Sequence, residues 1–500
     1  MMNNLLDTSS ARRLQLLELL ISEDEWWTIE ELSHKLRCSV GTIRTDIQYH
    51  NGLLNGDACI ETSKQHGIKL TTVDSFQMES VYRKVMEGCL NFQIINKLFE
   101  LDIPSIEDLA ELLYTSASSI IRSLKQINAF LAAYNLAIQS KPVKIIGTEK
   151  QIRYFFSVFL WDYYSASFDE FHHHLLDTAQ TYIDLLPKNV NTPIFSEITQ
   201  GKIVLWLVIC LERIEQGYFI DHEYEVFPFK ISKKEPLFDS LQKELSFTIP
   251  LEEQYFMSYL YQNKDGTIDD TYLTENPKIS SLYQDISTFI DAVKKQTGYT
   301  LENQSCFITN LIRHYFYRSL FKGPNHILVD RVERNDKALE KNFDKFTKAV
   351  REALVASPAN NWIEKMRENE DNLIFTLITF WAELAQQVAQ EKEKVQVVVV
   401  SQYGLQHELF LSDMLRVRFS LELKCYTLSE QKHLGEDIQL MLTDCQIDLM
   451  KQWVDPAVKI LSIESVPSSR NWKKIQQAIN EIQLNGFQIA QSSSLSLKNN

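Results

Sequence analysis

The chain has 500 residues, 44% of them hydrophobic and 11% aromatic, a composition that supports several packed cores and excludes a disordered protein. It carries 51 basic and 66 acidic residues, which gives a formal net charge of −15 at pH 7. A protein that binds nucleic acid over its whole surface is usually basic, so any such surface must be local.

Several features indicate a soluble, cytoplasmic protein. The seven cysteines form no C-x-x-C pair, which favours reduced thiols over disulfides or a zinc site. The N-terminal segment lacks the order of a signal peptide, and the longest apolar runs, such as "IVLWLVICL" at 203–211, are about half of a membrane span. We expect no membrane contact, no metal site and no cofactor.

An internal repeat lies in the first third of the chain. Residues 28–54 ("TIEELSHKLRCSVGTIRTDIQYHNGLL") and 105–131 ("SIEDLAELLYTSASSIIRSLKQINAFL") superimpose without a gap. Each copy begins with a hydroxyl residue, Thr28 or Ser105, and an acidic residue follows three positions later, as in a capping box. The apolar spacing after this cap predicts a short amphipathic helix in both copies.

A second hydroxyl residue, Ser39 or Ser116, starts another predicted helix after a short break. Two such helices across a tight turn make a helix-turn-helix. Downstream, "CIETSKQHGIKLTT" (59–72) and "LAIQSKPVKIIGT" (136–148) each contain two β-prone pieces around a basic tip. The sequence therefore predicts two winged helix-turn-helix domains in tandem.

The polar face of each second helix is predicted to contact DNA, because such a helix enters the major groove. From Tyr114 to Arg153 the chain has six basic residues and a single acidic one, Glu149. A solvated polar face is the alternative, and a degenerate second copy would serve only as a spacer. The predicted contact residues are Ser39, Thr42, Arg44, Thr45, Gln48, Lys64 and His66 in the first copy, and Ser116, Ser118, Ser119, Arg122, Lys125, Lys141 and Lys144 in the second.

From about residue 150 to 392 the sequence has aromatic-rich helical periodicity. Glycines at 217, 298 and 323 follow helical stretches and suit helix C-termini. His314 lies one turn before Arg318 on an apolar helix, where a core histidine is the default interpretation. The triplet His172–His174 predicts no metal site, because adjacent histidines on a helix point in different directions.

The composition changes at "EKEKVQVVVVSQYG", where a charged linker meets a β-branched run typical of a buried parallel strand. A helix at 406–417, a strand at 421–427, two further apolar pieces and a final helix at 470–484 predict a small α/β domain. The loop after the first strand, "SQYGLQHE", has one glycine and no cysteine, which is poor for a phosphate site. The last residues, 491–500, are expected to be disordered.

This order of modules resembles the Gram-positive virulence regulators of the Mga and AtxA type. The predicted fold is mainly α and multidomain, with a tandem winged helix-turn-helix at the N-terminus, two helical-bundle regulation domains, and a small α/β domain like the sugar-transport component IIB. The predicted domains are 1–75 and 76–165 (DNA binding), 166–275 and 276–392 (regulation domains of the phosphotransferase system, PTS), 393–490 (IIB-like) and 491–500 (tail).

The resemblance implies a transcription activator that is controlled by PTS-dependent histidine phosphorylation and forms a homodimer, largely through its C-terminal domain. The implied partners are promoter DNA, PTS phosphocarrier proteins and a second copy of the chain. His314 becomes the best candidate phosphoacceptor, with His222 and His174 as weaker ones. Ser401 stands where a transport component carries its phosphorylated cysteine, so the IIB-like domain is interpreted as inactive in phosphotransfer.

Two alternatives stay open. An RNA-binding antiterminator shares the regulation domains but begins with a small all-β domain, which the helical caps at the N-terminus disfavour. A phosphotransferase component would be an enzyme and would need the missing loop cysteine. No carboxylate pair, Ser-His-Asp set or nucleotide-binding loop is evident, so no catalytic residue is predicted and the chain is not expected to be an enzyme.

Overall fold

The computed structural model describes residues 5–22, 25–54, 56–164, 171, 173–185, 197–220, 236–262, 276–328, 339–340, 342–391, 394–419, 422–428, 437–446 and 455–496. The chain divides into two compact units. The first comprises Met1–Val293 and Asn303–Phe375, and the second comprises Lys294–Glu302 and Thr376–Asn500. Among the described residues, no helix combines the length and apolarity that a membrane crossing requires.

The first winged helix-turn-helix is present as predicted. Its helices are α1 (Thr8–Ser22), α2 (Ile29–Lys35) and α3 (Val40–Leu53), and its antiparallel wing strands are β1 (Ala58–Ser63) and β2 (Gly67–Thr72). The side chain of Thr28 accepts a hydrogen bond from the Glu31 amide at 3.2 Å, and the Glu31 carboxylate accepts one from the Thr28 amide at 2.8 Å. The predicted capping box is therefore confirmed.

The second copy repeats this arrangement, with two helices instead of one before its helix-turn-helix. Ser105 caps its first helix by accepting from the Asp108 amide at 3.2 Å, and Ser116 caps its second by accepting from the Ser119 amide at 3.2 Å. A left-handed residue occupies the turn between the two helices in both copies, Arg37 (φ +51°) and Tyr114 (φ +49°). The elements are α4 (Met78–Gly88), α5 (Leu90–Glu100), α6 (Ile106–Leu112), α7 (Ala117–Leu131), β3 (Ala137–Ser140), β4 (Val143–Ile146) and α8 (Glu149–Tyr164).

The middle of the chain is helical, as its periodicity predicts. The backbone turns left-handed at Gly217, Gly298 and Gly323, soon after helix ends and at the predicted positions. The helices are α9 (Leu176–Leu185), α10 (Glu197–Glu215), α11 (Pro236–Glu244), α12 (Leu251–Gln262), α13 (Pro277–Thr297), α14 (Gln304–Leu320), α15 (Asp344–Ala356), α16 (Asn361–Arg367), α17 (Glu370–Phe380) and α18 (Leu384–Glu391).

One hydrophobic core runs from both DNA-binding domains into the helices up to α12. Its centre is aromatic: Phe99 contacts Phe156 at 5.1 Å between ring centroids, and Phe155 contacts Tyr134 at the same distance. Helix α8 supplies the largest share of this aromatic surface and is buried on most of its faces. Such continuous burial makes the second DNA-binding domain and the following helices one packed body.

A buried ion network crosses this core. Arg153 of α8 is fully buried and pairs with Glu253 of α12 through both terminal nitrogens, at 2.5 and 3.0 Å. Its Nε donates to Glu149 at 3.0 Å, and Glu149 also binds Arg213 of α10 through two bonds of 2.8 Å. Burial alone would lower the pKa of Arg153, but the two carboxylates keep it above its ordinary value.

The second unit contains a parallel sheet. Its strands are β5 (Val395–Val400), β6 (Leu423–Thr427), β7 (Leu440–Thr443) and β8 (Lys459–Ser462), in the spatial order β6-β5-β7-β8. Helix α19 (Leu405–Arg418) packs on β5 and β6, and buried residues of β5, β7 and α20 (Ser469–Ser496) share one core. This arrangement confirms the predicted α/β domain with a small parallel sheet.

The end of the chain differs from the prediction. The helix expected at 470–484 begins at Ser469 and ends at Ser496, so most of the segment expected to be a disordered tail is helical. Residues 485–496 contain no proline and one glycine, and therefore nothing in their sequence forces a helix to stop. Residues 497–500 lie outside the described part of the chain.

Candidate nucleic-acid interface and regulatory sites

The outer face of α3 carries the predicted DNA-contacting side chains of the first copy. Arg44, Thr45 and Gln48 are exposed, whereas Ile43 and Ile47 on the opposite face are buried. Ser39 caps the helix by accepting from the Thr42 amide at 3.1 Å, and its hydroxyl also bonds the Thr42 hydroxyl at 2.8 Å. Ser39 and Thr42 thus fix the helix start, which leaves Arg44 and Gln48 as the long polar groups of this face.

The orientation of α3 is fixed from behind by a buried carboxylate. Asp46 is 1% exposed and accepts hydrogen bonds from Arg12 at 2.7 and 3.2 Å and from Arg13 at 3.0 Å. Both arginines belong to α1, and Arg13 also lies 3.8 Å over the ring of Tyr49. The sequence analysis missed this clamp of Arg12, Arg13 and Asp46. The two arginines precede the repeat, and an acidic residue among basic ones does not by itself indicate a buried ion pair.

The wing is joined to α3 by Asn51. Its side chain accepts from the Ile60 amide at 2.8 Å and donates to the Ile60 carbonyl at 3.2 Å. Asn128 holds the second wing in the same way, accepting from the Ile138 amide at 2.8 Å. The two asparagines are identical residues at matching positions of the ungapped repeat, a sequence signal that could have revealed them.

The tip of the first wing presents Lys64 and His66 to solvent. Gly67 follows with φ +100°, and a Cβ there would lie 2.2 Å from the carbonyl oxygen of Trp27. Trp27 exchanges two backbone hydrogen bonds with Ile68, at 2.7 and 2.8 Å, and so forms a single β-bridge to the second wing strand. Only glycine allows this close approach, and it sets the position of the basic tip relative to α3.

The second recognition helix, α7, has the same design with a different surface. Arg122 and Lys125 are exposed, and the cap Ser116 also hydrogen-bonds the hydroxyls of Ser118 and Ser119 at 2.9 Å. Among the described residues, neither Arg122 nor Lys125 has an ion-pair or hydrogen-bond partner from its side chain. Two apolar side chains are also exposed here, Ile121 of α7 at 56% and Tyr114 of the preceding turn at 99%, which the composition did not indicate.

Two basic residues of the second copy differ from their sequence interpretation. Lys144 is half-buried and donates to the hydroxyl of Tyr218 at 2.9 Å, with Asp102 at 3.6 Å. Arg153, counted among the basic residues of this segment, is buried in the ion network. The positive surface of the second domain is therefore smaller than the sequence suggests, and it consists mainly of Arg122, Lys125 and the exposed Lys141.

His314 lies half-buried on α14, four residues before Arg318. Burial, and then the charge of Arg318, lowers the pKa of His314 to about 4, so its imidazole is neutral at physiological pH. Arg318 in turn donates to Asn372 at 3.1 Å. A neutral ring keeps a free lone pair for a phosphoryl group, but half-burial restricts the approach of a donor protein.

His173 and His174 precede α9 in a turn and not on a helix, so the assumption about their directions was wrong. His173 Nε2 lies 3.1 Å from Glu212, and His174 Nε2 lies 2.7 Å from Glu215, both on α10. The rings stack at 4.7 Å between centroids. Because His173 Nδ1 accepts from the Leu175 amide at 3.2 Å, its proton resides on Nε2, which faces the Glu212 carboxylate and leaves no ring nitrogen free to bind a metal.

His174 is 60% exposed on its side chain, more accessible than His314. His222, the other candidate phosphoacceptor, and His172 of the triplet lie outside the described residues.

The loop after β5 is filled by carboxylates of the same chain. Ser401 and Asp444 follow β5 and β7, the neighbouring strands where the chain order of the sheet reverses and where such sheets usually bind ligands. The Gln402 amide donates to Asp444 at 2.8 Å, and the Ser401 amide donates to Glu408 at 3.2 Å. The amide of Tyr403 is taken by the Ser401 hydroxyl at 3.1 Å.

This geometry brings together a Ser-His-Asp set that the sequence did not reveal. The Ser401 hydroxyl bonds His407 Nδ1 at 2.7 Å and donates to Asp444 at 3.0 Å, while His407 and Asp444 lie 3.8 Å apart. Both partners converge on the hydroxyl, whereas in a catalytic triad the aspartate binds the histidine. The loop amides that could stabilise an oxyanion are already engaged, so the cluster stabilises the loop.

Comparison with known protein families gives three matches. Residues 8–66 match the helix-turn-helix domain of the M protein trans-acting positive regulator, Mga, and residues 74–160 match the Mga helix-turn-helix domain. Residues 177–384 match the regulation domain of the same regulator. Two separate DNA-binding matches thus fall on the two winged domains of the structure.

Several curated regulators are similar over most of their length. The chain is 25% identical to a putative trans-acting regulator of Streptococcus pneumoniae serotype 4, over 83% of this chain and 86% of the relative. It is 22% identical to the capsule synthesis positive regulator AcpB of Bacillus anthracis, over 93% and 97%. It is 24% identical to the anthrax toxin expression trans-acting positive regulator of Bacillus anthracis, over 94% and 98%.

We predict that the first DNA-binding domain loses stability in mild acid through His50. His50 is fully buried at the end of α3, with Nε2 3.0 Å from the Arg13 carbonyl, and burial lowers its pKa to about 4 from 6.5. Below pH 6.5 His50 takes up a proton in the unfolded chain, whereas in the folded domain it stays neutral until the pH approaches 4. Stability is therefore complete above that pH and falls by about 2 kcal/mol at pH 5.

Amide hydrogen exchange in peptides covering 40–54, corrected for the intrinsic rate at each pH, measures this effect. We expect His50→Gln to abolish the difference between pH 7 and pH 5. The exposed His66 in the same domain provides the control, and His66→Gln should retain the difference. An unchanged pH response in His50→Gln would assign the effect to another group.

Proposed function

Because the chain belongs to the Mga family of trans-acting positive regulators, it is a DNA-binding activator of transcription, and we propose that its two winged domains bind promoter DNA together. The observation that carries this proposal is the repeated recognition helix. Helix α3 and helix α7 have matching caps and matching wing attachments, and each exposes arginine on its outer face. The predicted contact residues follow from this placement, with Lys144 the weakest of them.

We propose that PTS-dependent phosphorylation of His314 controls this binding. The regulation-domain match covers α14, and the neutral imidazole of His314 is suited to accept a phosphoryl group. In that reaction the N–P bond of a phosphocarrier histidine breaks and a new one forms on His314, which then carries nearly two negative charges. The region is proposed to hold two regulation domains, 166–275 and 276–392, with His174 and His222 as secondary acceptors.

We propose that the C-terminal domain joins two copies of the chain through one face of α19. Phe410 and Val417 are exposed on α19 seven residues apart, with the half-buried Met414 between them, and the exposed Tyr403 lies in the loop just before the helix. This spacing places Phe410, Met414 and Val417 in one apolar seam along the second half of the helix. A two-fold dimer buries the same patch of both copies against itself, and an unpaired seam of this kind meets that requirement.

We propose that the chain acts by binding in the cytoplasm, where bacterial promoters are found, and not as an enzyme. The loop that would carry a phosphorylated cysteine in a transport component has Ser401, and the carboxylates of Asp444 and Glu408 use its amides. An RNA-binding antiterminator remains the second candidate, and the DNA experiment below includes RNA for that reason.

For DNA binding, the probe is a promoter duplex whose binding site has been located by footprinting. We expect Arg44→Ala and Arg122→Ala each to weaken binding to this duplex about tenfold to hundredfold, because an arginine that contacts a base contributes about 1–3 kcal/mol to the binding free energy. Fluorescence anisotropy at several salt concentrations measures the affinity and its salt dependence. Arg470→Ala removes the same charge from an exposed site on α20 and should leave affinity unchanged. Equal binding of single-stranded RNA, or no loss in either variant, would contradict the proposal.

For phosphorylation, we expect a PTS phosphocarrier charged by phosphoenolpyruvate to transfer acid-labile phosphate to the wild-type chain and to His174→Ala. The label should be lost in His314→Ala, because this variant removes the acceptor nitrogen and leaves the exposed histidine in place. Label that persists in His314→Ala but disappears in His174→Ala would move the acceptor to the more accessible ring.

For self-association, we expect Val417→Asp to convert the dimer to monomer, because an aspartate pair buried in an apolar seam is strongly unfavourable. Analytical ultracentrifugation over a range of concentrations measures the shift in the dissociation constant. Val355→Asp is the matched control, since Val355 is 81% exposed on α15 and Val417 is 87% exposed on α19. A dimer that survives Val417→Asp and Phe410→Asp would exclude this face.

A further inference from the structure

The segment 321–328, here called the strap, follows the His314 helix and lies against the second DNA-binding domain. Side chains of that domain hold its backbone at four positions. Gln151 donates to the Lys322 carbonyl at 2.6 Å and accepts from the Lys322 amide at 3.0 Å. Three further bonds hold Pro324, His326 and Ile327: Tyr154 hydroxyl to Pro324 carbonyl at 3.2 Å, Tyr134 hydroxyl to His326 carbonyl at 3.2 Å, and Ile327 amide to Asp162 at 2.7 Å.

Apolar contacts reinforce these bonds. Phe321 is buried and stacks on Tyr154, with the ring centroids 4.8 Å apart and the planes 11° from parallel. Ile327 is also buried in the continuous core. The strap is therefore attached to α8 by both packing and hydrogen bonds, although about 170 residues separate the partners in the sequence.

The tightest contact is between Gly323 and Tyr134. Gly323 has φ +98°, and a Cβ built there would lie 2.5 Å from the Tyr134 ring. Tyr134 is fully buried and ends the single 3-10 turn that follows α7, three residues before β3 begins. The ring of Tyr134, which lies between the recognition helix α7 and its wing, thus packs against the main chain of the strap.

The His314 helix leads directly into this contact. Seven residues separate His314 from the start of the strap, about 10 Å along a helix. Arg318 lies between them, and its charge offsets part of the rise in pKa that burial causes at Tyr134 and Tyr154. A new negative charge on His314 would compete with Asn372 for Arg318 in the last turn of α14.

We infer that the strap transmits the state of the His314 helix to the second DNA-binding domain by setting the position of Tyr134 between α7 and its wing. This inference deepens the proposed phosphocontrol and rests on it for the origin of the signal. The contact itself exists without phosphorylation, so it can be tested separately. In this arrangement the strap contacts the second DNA-binding domain directly, whereas the recognition helix of the first is held at Asp46 by arginines of α1.

The test uses the full-length chain and amide hydrogen exchange. Gly323→Ala forces the strap away from Tyr134, and exchange in peptides covering 128–146 should rise about tenfold or more as local opening becomes easier. Peptides covering 40–72 of the first domain should not change. Gly298→Ala is the matched control, because Gly298 has a similar left-handed backbone (φ +77°) and open space around its Cβ position.

Unchanged exchange at 128–146 in Gly323→Ala would overturn the inference, and so would an equal rise in Gly298→Ala. Tyr134→Phe removes only the hydroxyl bond to the strap and provides the same test if Gly323→Ala does not fold. In that variant we expect a several-fold rise at both 128–146 and 321–328, and no rise at 128–146 would count against the strap.

A double-mutant cycle separates this inference from the proposed phosphocontrol. His314→Asp supplies a charge and should change exchange at 321–328 and at 128–146 in the wild-type background. In the Gly323→Ala background the change at 128–146 should disappear. A change at 128–146 that persists in the Gly323→Ala background would contradict transmission through the strap. A His314→Asp variant without effect on either segment would contradict the proposed phosphocontrol, and the Gly323→Ala result alone would then test the strap inference.

Discussion

The buried pairing of Arg153 and Arg213 with Glu149 and Glu253 constrains most of the first unit. It joins α8, α10 and α12 through charge-assisted hydrogen bonds, and Glu253 also accepts from the Ile220 amide at 2.8 Å. Removing one partner of such a network leaves an uncompensated buried charge and typically costs about 3–5 kcal/mol. Because α8 belongs to the second DNA-binding domain, the network fixes how that domain meets the helices that follow.

The two DNA-binding domains are consequently held in different ways. In the first, α1 supplies the arginines that hold Asp46, so the recognition helix is positioned by residues of its own domain. In the second, Lys144 contacts Tyr218, Gln151 contacts the strap, and Arg153 contacts α12. The recognition helix of the first copy is therefore oriented by its own α1, with one further bond from Lys84 of α4 to the Leu53 carbonyl at 3.0 Å. The second copy also contacts the segment that carries the regulation-domain match.

Local signals in the sequence predicted a large part of this structure. The caps at Thr28 and Ser105 involve residues only three positions apart. The apolar stripe of α3 lies within one helix, and the β-branched run of β5 lies within one strand. Each of these features could therefore be predicted directly from neighbouring residues. Pairings across 60 to 100 residues could not, such as Arg153 with Glu253 or Arg213 with Glu149. Composition counted Arg153 as surface charge, because a buried arginine is recognised only through its distant partners.

The carboxylates of Asp444 and Glu408 give the C-terminal domain a property of its own. The amides of Ser401 and Gln402, which could otherwise bind an anion, donate to these two carboxylates. An external anion would therefore have to displace a carboxylate of the same chain before it could bind these amides, so the loop carries its own negative charge at the place where related sheets bind ligands.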